Sequence, residues 1–478
     1  ATDPEELATL WLVRGEIFAA REGQEDQAVE AFDMALSYDP GRQEAREGLT
    51  LVLERRGDWN QLLQVLEATS DIATPEQQSA ALRRMADICS LQLGDEERAE
   101  GYLRQSVEVY PTREALEFLE RLYTVESGRL DERREVIGLL VDFGPPWFER
   151  CIELAQLLLG SEQLHERRWA WTLLSPLLGV SQVDQDLKQV VQGMRKEYER
   201  PPVLCASRDD ARLLEHPAMH DGLRGVLLDL GSRVSLGLAD VAEAGDGGAI
   251  GISPNTNMGK VFAATALAAG LDGCTLHRTQ SLPEPVQVVC SGEGEPAVVV
   301  RTEVIQQLVH AEVGFFFAYA LELARPHNRP LAAMPPERRE QLVPALWHLF
   351  GWRDAGSTGA RELAEAIGEA VDEEARAFWI EALEELRDED PAEMGREHWD
   401  GILFTGRRAG LLAGADLRQV FRVMSRLTEE VSRPRVVARV DELDEYVGAS
   451  ELLQDLVAFA ASPDFGQLLE RASEVKAG

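Results

Sequence analysis

Lysine is nearly absent from this chain. Only Lys188, Lys196, Lys260 and Lys476 occur in 478 residues, so arginine carries almost all the positive charge. This reads as a GC-rich codon bias rather than a functional choice. Cysteine is scarce as well. Cys89, Cys151, Cys205, Cys274 and Cys290 are odd in number, widely spaced, and form no CxxC pair. That pattern excludes a disulfide framework and a zinc knuckle. Each reads instead as a small apolar side chain in a reducing, cytoplasmic compartment. No apolar run approaches the roughly 20 residues of a membrane span. The opening "ATDPEELATLWL" has neither an initiator Met nor a signal-peptide pattern, and reads as the inside of a longer protein.

Basic charge is short overall. The 84 acidic residues outweigh 48 basic ones, for a formal net charge of −36. Nucleic-acid backbones and anionic membranes are poor partners for such a surface. A solvated acidic exterior accounts for it without any function. With 45% hydrophobic and 28% charged residues, the chain has apolar material for real cores. Its length suits two to four domains.

What the chain does have is repetition. The stretch "LRRMADICSLQLGDEERAEGYLRQSVEVYPT", residues 82–112, places Ala86, Gly94, Ala99, Leu103, Ser106 and Pro111 as a helix–turn–helix unit requires: small residues where helices cross, Gly at a helix end, Pro at the close. The first unit repeats this with Gly15, Phe18, Gly23, Ala28, Phe32, Ala35 and Pro40. Turn glycines at Gly23, Gly57, Gly94 and Gly128 recur every 34 to 37 residues. The period and pattern resemble tetratricopeptide repeats. The resemblance implies an α-solenoid over 1–198, weaker beyond 135, that binds a protein or peptide on its concave face. Arg14, Arg83 and Arg84 are candidate contacts for an acidic or C-terminal carboxylate peptide. Intrahelical pairing with nearby Glu is the plainer role for them. Leu7, Leu10 and Trp11 should form an apolar face at the start of the array.

The Pro pair in "ERPPVLCASRDD" sets a domain boundary at 198/199. Residues 199–478 read as a mainly helical domain with one β-hairpin, "VQVVCSGEGEPAVVV". One helix is predicted over 301–326, and the later helices include 358–387, 414–432 and 436–445. "HPAMH", His216 to His220, has i,i+4 histidines, though Pro217 favours a helix start between them. Together with an acidic residue they are the candidate ligands of a non-standard metal hydrolase. "NTNMGKVF" has the Gly-Lys of a phosphate loop, but Pro254 and Val261 stand where that motif needs Gly and Ser/Thr.

Within 301–326 lies "AEVGF", residues 311–315. The order of helix "MGKVFAATALAAGL", Val-rich hairpin, "HAEVGFFF" helix and later "GRRAGLLAGADL" resembles zinc metallopeptidases of the M48 type. In that family a hairpin leads into "HELGH", and a later helix carries "ExxADRxGL" with the third ligand. The resemblance spans roughly 255–430 and places the metal histidines on Ala311 and Phe315, the third ligand on Leu403, and the Ala-Asp pair on Gly406 and Arg407. None of Ala, Phe or Leu can donate to a metal. Glu312 alone cannot activate water on zinc. The implied module is a catalytically dead peptidase fold that needs no cofactor or metal, with Phe315, Phe316 and Phe317 filling the cleft. A chance match inside a core helix stays open, as does a small-ligand site near Glu312. Glu312 should lie mid-helix and pair with Arg407 or Arg408.

Overall fold

The computed structural model describes residues 4–70, 74–125, 128–198, 205–206, 210–233, 241, 244, 248–290, 295–414 and 416–474. Its fold is mainly α with one small sheet. The chain divides into two compact units, Ala1–Val136 and Ile137–Gly478. No helix among the described residues is long and apolar enough to cross a membrane.

The first unit holds α1 (Pro4–Ala19), α2 (Glu25–Tyr38), α3 (Gln43–Arg56), α4 (Trp59–Ser70), α5 (Pro75–Ile88), α6 (Glu96–Val109) and α7 (Arg113–Val125). α8 (Leu130–Asp142) crosses the division. Local chemistry starts and stops these helices. Thr74 and Gln77 form a reciprocal capping box at the head of α5, and Asp95 accepts from the Arg98 N–H at the head of α6. The four periodic glycines all have left-handed φ, from +65° to +112°, which a residue with a Cβ rarely adopts.

From α1 to α7 each helix packs on the next in the chain. The crossings use the small residues that the repeat pattern singled out: Ala86, Ala99 and Ser106 are fully buried, and Ser79 and Ser106 share a hydroxyl bond of 2.8 Å. Phe32 of α2 is a wedge between α1 and α3. A Cβ on Gly15 would stand 2.6 Å from its ring, and one on Gly48 would stand 2.4 Å away. Alternate helices are tied by polar contacts: Arg55 to the Ala19 carbonyl, Arg84 to Glu54, and Arg83 to Glu114. Leu10, Val13 and Ile17 leave an apolar ridge exposed on α1, while Leu7 and Trp11 are half-buried.

The second unit continues with α9 (Trp147–Leu159), α10 (Leu164–Leu174), α11 (Gln185–Tyr198), α12 (Asp221–Arg233) and α13 (Asn257–Ala268). Then come α14 (Thr302–Gln307), α15 (His310–Leu323), α16 (Arg329–Ala332), α17 (Pro336–Phe350), α18 (Thr358–Ala370) and α19 (Glu373–Leu383). α20 (Pro391–Leu412), α21 (Leu417–Leu427), α22 (Asp441–Gly448), α23 (Glu451–Ala461) and α24 (Pro463–Glu474) complete it. The contact division falls at 136/137 rather than at the Pro pair, whose residues 199–204 lie outside those described. The reason is a shared core. Phe148, Leu154, Trp169 and Met194 of α9–α11 pack with Phe421, Leu453, Leu456 and Phe465 near the chain end.

The expected hairpin is present as β3 (Val286–Cys290) antiparallel to β4 (Pro296–Arg301); its turn, 291–294, lies outside the described residues. It belongs to a larger sheet. β1 (Ile250–Gly251) and β2 (Thr275–Thr279) extend it in the order β1-β2-β4-β3, with β2 and β4 parallel. β4 is central and covered on both faces, which explains its unbroken Ala-Val-Val-Val run.

Candidate functional site

The segment 301–326 is not one helix. β4 ends at Arg301, α14 covers Thr302–Gln307, and the chain turns at Leu308 and Val309 before α15 begins at His310. Glu312 therefore sits in the first turn of α15 and not mid-helix. Its Oε2 accepts from the Val309 N–H at 3.0 Å, one of the donors that a helix start leaves unsatisfied. The side chain is only 1% exposed.

A buried carboxylate needs a counter-charge. Glu312 has one, but it is neither Arg407 nor Arg408. Arg426, on α21, donates to Glu312 Oε2 and to the Gln307 carbonyl at 2.7 Å. One guanidinium thus pins both the end of α14 and the start of α15. Arg408 is held elsewhere, by Asp455 and the Glu215 carbonyl, and Arg407 lies over the Phe404 ring at 5.3 Å. The two arginines point away because Gly406 and Gly410 occupy the face of α20 that meets α15.

That meeting face is packed solid. Phe315, Phe316 and Phe317 are fully buried. Phe315 lies against Gly410 and Tyr319 against Gly406, so two rings four residues apart seat on two glycines four residues apart. Leu403 is half-buried in the core around the sheet. Ala311 lends its backbone to α15, and its side chain lies outside the described residues. Carbon side chains at 315 and 403 and a carboxylate already held by Arg426 do not fit a zinc ion. Among the described residues no group of three or more His, Cys, Asp or Glu is placed to hold a metal.

"HPAMH" forms a turn ahead of α12, so His216 and His220 do not share a helical face. The His216 N–H donates to Thr405 Oγ1 at 3.0 Å, its ring stacks on Phe404 at 4.6 Å, and its Nε2 is 3.6 Å from Asp455. Burial pushes its pKa down, against the pull of Asp455. His220 turns to α20 instead. Its N–H donates to Nδ1 of His398 at 3.0 Å, which fixes His398 as an acceptor at that nitrogen. His398 is fully buried, and burial, with His220, His327 and Arg224 nearby, holds its pKa down at about 3. Burial does the same to His327, to about 4.

In the first unit, Arg83 and Arg84 make the inter-helix ion pairs described above. Arg14 lies over Trp11 at 4.8 Å and Phe18 at 5.3 Å. Arg84 also borders a groove of about 750 Å³, with Gln43, Glu47, Leu51, Val65 and Gln77. A second hollow of about 360 Å³ adjoins it, and Arg46 and Val65 line both. Lys260 and Gly259 open α13, where Thr256 caps the helix. Sequence reasoning missed Arg426 and His398, since each is set by a partner more than 100 residues away.

No protein-family model matches the chain, and no curated protein matches it.

Proposed function

We propose that the chain is a non-catalytic scaffold. Its first unit is a tetratricopeptide-like array that binds a protein or peptide, and its second is a peptidase-like module without metal chemistry. The groove along α2–α5 carries this reading. It offers Leu51 at 57% exposure as an apolar contact and presents Arg46 and Arg84 beside Glu47 and Glu54. Such mixed walls suit a peptide backbone with alternating side chains. The role of Glu312 in the second unit supports the dead-module half, because its carboxylate has a structural task. A net charge of −36 favours a protein partner over nucleic acid or membrane, in the bacterial cytoplasm where thiols stay reduced.

The test is cross-linking of the intact chain in a lysate of its own organism, beside the Leu51→Glu variant. Partner peptides should cross-link within residues 43–84 and be lost in the variant. Cross-links confined to the second unit would show the first to be a spacer. Elemental analysis of the purified chain should find no stoichiometric zinc, and a chelator-sensitive zinc together with peptidase activity would overturn the other half.

A further inference from the structure

α21 carries Arg418, Arg422 and Arg426 four residues apart, and so along one stripe. Arg426 reaches the carboxylate of Glu312. The other two line a hollow of about 510 Å³ in the second unit. The segment 432–437 also lines it: sequence patterning ends one helix at 432 and starts another at 436, but none of these residues is helical. Val437 donates to the Gly179 carbonyl and accepts from the Ser181 N–H, each at 2.9 Å. The Tyr446 hydroxyl donates to the Ser432 carbonyl at 2.9 Å. This anchored segment brings Arg433 and Arg435 to the same hollow.

Four guanidinium groups therefore border one space, with Glu442 and Glu445 as the only acids among its lining residues. Glu442 is engaged by the Ala438 N–H at 3.4 Å. Arg422, Arg433 and Arg435 make no ion pair among the described residues, whereas the neighbouring Arg439 is clamped by both oxygens of Asp441. Asp416 offsets part of the charge of Arg418 and Arg422, but four arginines against two glutamates leave the lining net positive, which favours an anion. That balance is unexpected in a chain with 84 acids to choose from. The guanidinium fork matches phosphate oxygens pairwise. The rest of the lining is apolar or aromatic: Pro176, Phe421, Val437, Leu443 and Tyr446. The volume lies in the range of small-molecule sites.

We infer that this hollow binds a small organic phosphate with a ring in its body, the phosphate held among Arg422, Arg433 and Arg435 and the ring against Val437, Leu443 and Tyr446. The inference does not depend on the scaffold reading, since every wall belongs to the second unit.

Titration calorimetry on the intact chain at physiological salt tests it, with ATP and inorganic tripolyphosphate as probes of similar charge with and without a ring. ATP should bind saturably at one site, and tripolyphosphate should bind at least about fivefold more weakly because it leaves the apolar wall unfilled. Arg433 and Arg435 are exposed, so the Arg433→Gln/Arg435→Gln variant should fold normally and lose about tenfold or more in ATP affinity. Arg439→Gln should stay within about twofold, because that residue is not in the lining. The proposal is overturned by any of four results: no saturable binding of either probe, equal binding of both, equal loss in the Arg439 variant, or tighter binding of a phosphoserine peptide than of ATP.

Discussion

The Phe315 ring rests on Gly410, at a point where a Cβ on residue 410 would stand 2.7 Å from it. Both residues are buried, so neither can yield into solvent. Gly410→Ala should destabilise the second unit by about 1–3 kcal/mol through overpacking. Adding Phe315→Leu should recover part of that loss, because the two changes share one contact. Urea unfolding of the single and double variants measures the coupling. Simple additivity would place the ring elsewhere.

Arg426→Met removes the counter-charge of a carboxylate that is 1% exposed, and should cost about 3–5 kcal/mol. Glu312→Gln keeps an acceptor for the Val309 N–H and should cost less, about 1–2 kcal/mol. Glu312→Leu with Arg426→Met should recover much of the single-variant loss, since neither charge is then stranded. Thermal unfolding of the three variants gives the order. A large loss in Glu312→Gln alone would point to a role beyond pairing.

His398, fully buried, and His327, half-buried, predict acid sensitivity. His398, held at about 3, and His327, at about 4, stay neutral in the folded chain where free histidine titrates near 6.5. The unfolded chain therefore binds protons that the folded chain does not. Stability is fully present above about pH 6.5 and falls as the pH drops toward the folded values, by up to about 1.4 kcal/mol per pH unit for each such histidine. His398→Asn, whose amide oxygen can still accept from His220, should flatten this slope between pH 6.5 and 5. Denaturant unfolding at pH 7.5, 6.5 and 5.5 reads it directly. An unchanged slope would show that His398 does not contribute to it.

Phe32→Ala opens a gap between three helices at once and should cost about 3–5 kcal/mol. Gly48→Ala should also destabilise, by steric conflict with the same ring. Hydrogen exchange should show lost protection in α1, α2 and α3 for both. Protection kept in α3 of either variant would argue against the wedge.

The repeat unit was legible because its signals are local. Ala86, Ala99 and Ser106 mark crossings between neighbours in the chain, and the periodic glycines mark their turns. The break at Leu308–Val309 was hidden because the residue before α15 is Val309, where a capping signature would show Ser or Thr. The half of that signature present, Glu312 at the third position, reads as a core anomaly without its partner. β2 escaped notice because "TLHRT" is short and polar, and becomes a strand only through its pairing with β4. The arginine-lined hollow was invisible for a similar reason. Arg433 and Arg435 belong to a segment anchored, through Val437 and Ala438, on residues 179–182, some 250 positions earlier.

That long reach has a consequence for synthesis. Trp169 Nε1 donates to the Ala460 carbonyl at 2.6 Å, and the Phe148 N–H donates to Asp444 at 3.0 Å, bonds that close over nearly 300 residues. Helices α9 and α10 leave the ribosome long before α22–α24 exist to cover them. Helices α1–α7 are held by partners one or two helices away in the chain and can settle while translation proceeds. Nascent chains stopped near residue 300 should therefore carry a protease-resistant first unit followed by exposed tryptophans at 147, 169 and 171, the surface a chaperone would be expected to hold until the last helix is made.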